Sequence, residues 1–109
     1  MRVSEKPWSP STSDYDPAGA WCDACLINTN DGRRATWLKS QCKLPVFEPD
    51  GALNRNAVHA AAAVLAGARG GVDASPRGKQ AAARRLIGLY RVLDEEPPDS
   101  IDRIAGRRT

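Results

Sequence analysis

The sequence predicts a mainly α-helical fold, with α+β as the alternative, on three observations. Ser75-Pro76 sets a cap before a proline, and Ala82, Leu86, Leu89 and Leu93 then recur at spacings of four, three and four, the period of one helical face. Alanine-rich chain from Ala57 to Ala68 follows Asn54 and Asn56, either of which can cap a helix, and precedes the stop Gly70-Gly71. Lys43-Leu44-Pro45-Val46-Phe47 is apolar, partly β-branched and interrupted by proline, which suits an extended or edge segment better than a helix.

In chain order, residues 1–13 contain Pro7, Pro10 and Ser9-Pro10-Ser11-Thr12-Ser13, a composition that reads as an extended N-terminal arm. Asp16-Pro17 looks like a cap with proline at the first helical position. Trp21, Cys22, Cys25 and Leu26 then fall on one face, so a first short helix is expected over residues 16–27. Asn28-Thr29-Asn30-Asp31-Gly32 ends it, and Glu48-Pro49-Asp50-Gly51 turns the chain after the extended segment. A second helix is expected to run to about Arg69, with Val58, Ala61, Ala62 and Leu65 on one side. A third is expected from Pro76 to near Glu96, and the short connection would make the two an antiparallel hairpin. Residues 14–96 therefore read as one small domain. Residues 97–109 read as an extended basic tail with Ile101 and Ile104 as anchors and Arg103, Arg107 and Arg108 as its charges. There is no internal repeat.

Composition narrows the chemistry. At 109 residues and a net charge of +3 the chain is too short for a multi-domain enzyme and too weakly basic for a polycationic nucleic-acid arm. The start lacks a signal-peptide core, and the most apolar window, Ala57 to Ala68, is too short to span a bilayer, so a soluble protein made in the cytoplasm is expected, with no membrane partner. There its three cysteines would stay reduced, and their odd number argues against a disulfide scaffold.

Cys22 and Cys25 have C-x-x-C spacing but no preceding strand, which favours packed thiols over redox chemistry. The rival reading is zinc, held by Cys22, Cys25, Cys42 and His59, although its second half lacks the short knuckle of a zinc finger. His59, the only histidine, flanks an apolar stripe and reads as a half-exposed helix residue. No glycine-rich phosphate loop, nucleophile elbow or carboxylate pair occurs, so the expectation is no enzyme and no cofactor. Arg77, Arg84 and Arg91 recur every seven residues opposite the leucine face, a ridge that suits an acidic surface or phosphates, or simply a solvated face. Trp21 and Trp37 suit the core, while Trp8 sits in the arm, where it either docks on a partner or folds back on its own domain.

Pro7-Trp8-Ser9, Asp14-Tyr15, Ala24 to Ile27, Lys43 to Val46, Gly51, Leu53-Asn54-Arg55-Asn56-Ala57-Val58-His59-Ala60-Ala61 and Ala82 to Leu86 with Leu89-Tyr90 resemble a small domain of tailed-phage and prophage head-morphogenesis proteins. Such domains occur near or joined to prohead proteases and capsid proteins, especially in actinobacterial phages. The resemblance spans roughly Pro7 to Pro98, is most specific between Lys43 and Ala61, and leaves out Cys22 and Asp31 to Gln41. It brings no catalytic signature. It implies a structural accessory of the phage head, a minor capsid or decoration protein that binds many copies of the major capsid protein and resides in the virion. Trp8, Leu44, Val46 and Phe47 would supply apolar contact in that role, and Arg77, Arg84 and Arg91 charge. The alternatives are a nucleic-acid-binding module using the basic face and a transient assembly factor.

Overall fold

The computed structural model describes residues 1–106. Their elements are β1 (Val3–Ser4), α1 (Ala18–Ala24), β2 (Cys25–Asn28), β3 (Cys42–Pro45), β4 (Leu53–Asn54), α2 (Arg55–Leu65), α3 (Pro76–Val92) and α4 (Asp99–Ile104). Among the described residues, four α-helices accompany two small pairings, β1 with β4 in parallel and β2 with β3 antiparallel. This is a mainly α to α+β composition. The chain divides into two compact units, Met1–Ala57 and Val58–Thr109, where one domain between two arms was expected. No helix of the described residues is long and apolar enough to cross a membrane.

The first unit is built around Tyr15, Trp21, Cys22, Ala24, Cys25 and Cys42, with Ala20, Trp37 and Phe47 partly buried against them. Tyr15 and Trp21 meet edge to face at 5.1 Å, and the Trp21 indole nitrogen donates to the Cys42 carbonyl. The helix expected over 16–27 is shorter: α1 stops at Ala24, and Cys25 opens β2. Cys25, Leu26 and Ile27 are all buried, and three consecutive buried apolar residues carry no period to tell helix from strand. Pairing decides, with Cys25 opposite Pro45, Ile27 opposite Lys43 and Asn28 opposite Cys42.

A second correction concerns sulfur. Cys22 and Cys42 form a disulfide with their Cα atoms 5.2 Å apart, so the expectation of three reduced cysteines fails; Cys25 is buried outside it. The α1 and β3 elements pack together in the same core, which brings the two residues across a separation of 20 in sequence. The extended N-terminal segment is held to its own unit: Val3 and Ser4 pair with Leu53 and Asn54, and the Leu53 amide donates to the Arg2 carbonyl.

In the second unit the expected caps hold the chain. The Ser75 hydroxyl accepts from the Gly78 amide at 3.0 Å, and α3 buries Ala82, Ala83, Leu86, Ile87 and Tyr90, with Leu93 just beyond its last turn. The helix ends at Val92 and not near Glu96, because Asp94 takes a left-handed conformation at φ 59°. Its amide bonds Arg91 and that of Glu95 bonds Tyr90, which closes the last turn. The expected extended tail is also corrected. Residues 99–104 form α4, which packs on α3 and buries Ile101 and Ala105, so apolar burial overrides the tail's basic composition. Arg107 and Arg108 lie outside the described residues.

Candidate functional site

Two surfaces carry the residues singled out in the sequence. On α3 the side chains of Arg77, Arg84 and Arg91 are exposed. A rise of 1.5 Å per residue spreads them over about 21 Å, and a step of seven turns each only about 20° from the last. Exposed Ala81 and Gly88 lie beside them, so nothing bulky shields the ridge. No acidic residue occurs between Pro76 and Val92, which also holds Lys79 and Arg85. Arg84 has a second task, since its Nε donates to the Ala105 carbonyl at 3.2 Å and ties α4 to α3.

The second surface lies in the first unit, where residues 48–56 hold the N-terminal segment. The Asn54 side chain is fully buried. Its Oδ1 accepts from the Ala57 amide at 2.8 Å, which makes Asn54 the cap of α2, and its Nδ2 donates to the Lys6 carbonyl at 3.1 Å and to Glu48 at 2.9 Å. Asn56 Nδ2 reaches the same Lys6 carbonyl at 2.8 Å. Arg55 Nε bonds both carboxylate oxygens of Glu5, at 2.9 and 3.0 Å. Arg2 pairs with Asp50 at 2.6 Å, and Lys6 lies 3.9 Å from Glu48. Hydrogen bonds from Ser4, then from Asn54, hold the Glu48 carboxyl below the usual range against the opposing effect of burial. Asp50 is lowered first by the Ala52 amide and then by Arg2.

Compared with known protein families, curated proteins and solved structures, the chain matches none.

The remaining candidates separate by burial. Leu44 and Val46 are buried, at 9% and 0% exposure, which removes them as docking contacts. Their apolar surface is already out of water. Phe47 is half-buried, and its carbonyl accepts from the Tyr15 hydroxyl at 2.6 Å. Burial, then the charge of Cys25, pushes Tyr15 up to about 12. Trp8 is half-buried and lines a cavity of about 130 Å³ with Pro10, Tyr15 and Pro49, so it folds back over its own unit. A larger hollow of about 390 Å³ beside it is bordered by Asp14, Asp16, Asp23, Arg34, Phe47 and Glu48, with Arg34 paired to Asp23.

The zinc set is not assembled, because the sulfurs of Cys22 and Cys42 are bonded to each other. His59 is bound elsewhere: its Nε2 lies 2.8 Å from Glu95, and its ring stacks on Tyr90 at 5.9 Å. Burial, then the Glu95 charge, raises the Tyr90 hydroxyl. Sequence reasoning placed Asn54 and Asn56 only as alternative helix caps. It missed their grip on Lys6, together with the roles of Glu5, Arg55, Glu48 and Asp50. The available signal was the alternation of charge in Arg2, Glu5 and Lys6, complementary to that of Asp50, Arg55 and Glu48.

Proposed function

We propose that the chain is a non-enzymatic structural accessory of a phage head, a minor capsid or decoration protein that binds the major capsid protein in multiple copies and resides in the virion. The resemblance between Lys43 and Ala61 supports the setting. The observation that carries the reading is the exposed Arg77, Arg84 and Arg91 ridge on α3, a helix whose opposite side is anchored by buried Ala82 and Leu86. A helical face of one charge sign suits repeated docking on an acidic lattice, because its backbone needs no ordering on contact. Half-buried Trp8 and Phe47 add apolar edges, and Leu44 and Val46 take no part. A protein inventory of purified procapsids and mature heads tests it. The protein is expected in mature heads; presence in procapsids alone identifies a transient assembly factor, and absence from both ends the proposal.

The same ridge favours a second reading, a nucleic-acid-binding module. Three phosphate contacts would give a salt slope of about −3 in log affinity against log salt. Titration with duplex and single-stranded DNA at low salt decides it: no binding removes this reading and leaves the capsid reading in place.

A further inference from the structure

We propose that residues 29–41 form a lid over the Cys22–Cys42 disulfide, and that opening of this lid, with the core intact, admits a dithiol reductant to the bond. The bond is then a gated redox switch of the first unit. This goes beyond the head-accessory reading and does not depend on it.

The lid is a short loop closed at its neck and fastened inside and out. At the neck the Thr29 amide donates to the Gln41 carbonyl at 3.0 Å, and the Thr29 hydroxyl donates to Gln41 Oε1 at 2.6 Å. Inside, the Asn30 side chain ties the two sides of the loop together: Oδ1 accepts from the Leu38 amide at 2.8 Å, and Nδ2 donates to the Leu38 carbonyl at 3.0 Å. The same Nδ2 lies 3.5 Å from Cys22 Sγ and 3.3 Å from Cys42 Sγ, so the clasp of the loop rests on both sulfurs. The Leu38 carbonyl adds a third contact, 3.7 Å from Cys22 Sγ. Outside, Arg34 fastens the loop to α1. It pairs with Asp23, and its guanidinium lies so close to Gly19 that a Cβ there would meet it at 2.7 Å.

Burial separates the lid from what it covers. Cys22 and Cys42 are only 3% and 5% exposed, which keeps a thiolate off the bond while the lid is down. None of residues 29–41 is buried, so lifting them gives up little apolar contact of their own and costs mainly the polar clasps. With the lid up, a thiolate of the dithiol attacks one sulfur of the pair, the S–S bond breaks, and the other sulfur leaves as a thiolate. The second thiol of the reductant then displaces the first sulfur and closes its own disulfide, so two electrons pass to Cys22 and Cys42. The covalent tie between α1 and β3 is lost with the bond.

Dithiothreitol acting on the oxidised full-length chain tests this, with two readouts by mass spectrometry: the rate at which the bond is reduced, and the rate at which iodoacetamide alkylates Cys25 while the bond is intact. Cys25 lies outside the lid at 2% exposure, so its alkylation reports opening of the core. Asn30→Ala removes the clasp and should speed reduction at least about tenfold, with Cys25 alkylated at the parent rate. An unchanged rate of reduction, or equal acceleration of both readouts, would overturn the proposal. Should Asn30→Ala fail to fold, Arg34→Ala decides, because Arg34 is exposed and its loss leaves the core in place. Reduction should then quicken about threefold with Cys25 unaffected, and the same two outcomes would reject the lid.

Discussion

In residues 1–57 the α-helix within the unit has seven residues and no strand exceeds four, whereas residues 58–106 contain a helix of seventeen. The first region compensates for its scant regular structure with a disulfide, a buried asparagine and ion pairs that bridge distant parts of the chain. The second relies on Ala82, Leu86, Ile87, Tyr90 and Ile101, buried in a helical core whose α3 starts at the Ser75 cap. Short strands bury little apolar area, so a disulfide that restricts the unfolded chain and polar contacts that stabilise the folded one supply the rest. The two regions should therefore respond to different insults.

The largest effect is expected from Leu86→Ala, since Leu86 is fully buried. It should cost about 3 kcal/mol through lost transfer and the cavity left behind, read as a lower denaturant midpoint of the helical circular dichroism. A loss below about 1 kcal/mol would mean that leucine packing is not what holds α3. Next comes Cys22→Ser with Cys42→Ser. Closing a loop of 20 residues limits the unfolded chain by about 3 kcal/mol at most, and engineered systems often give less. The near-ultraviolet signal of Trp21, packed on the bonded pair, should fade at lower denaturant. An unchanged midpoint would assign the first region's stability to its apolar core and polar contacts.

Acid offers a finer cut. Glu48 and Asp50 are both held below the usual carboxylate range, so their contribution is complete above the unfolded value of about 4 and is lost as pH falls through the lower folded values. The protection of the Val3 to Lys6 amides, taken relative to the intrinsic exchange rate at each pH, should fall below about pH 4 while that of α3 does not. Equal loss of protection in both would erase the distinction. The smallest effect is a gain: Asp94→Gly removes the strain of φ 59° at the end of α3 and should add about 0.5–1 kcal/mol, measured by thermal melting of the helices.

What could be read from the sequence was whatever is local. The Ser75 cap, the leucine stripe of α3 and the extended character of Lys43 to Phe47 each lie within a few residues of their cause. Asn54 as a cap was legible, but its second function was not, because Lys6 lies 48 residues away. The Cys22–Cys42 bond was hidden for the same reason: three cysteines allow three pairings, and only the packing of α1 with β3 selects one. Cys25 to Ile27 looked helical because a short apolar run has no period of its own. Ile101 looked like a loose anchor because α4, at six residues, is too short to announce itself. Of the candidate contacts, the arginines lay where the helical wheel put them, whereas Leu44 and Val46 were taken into the core by a strand whose partner is remote in sequence.

The most direct test of the two-mechanism account is amide hydrogen exchange by mass spectrometry with and without a thiol reductant. Reduction should strip protection from residues 18–45, where the Cys22–Cys42 bond closes the loop, and leave residues 82–92 as slow as before. Protection lost equally in both segments, or in neither, would contradict it.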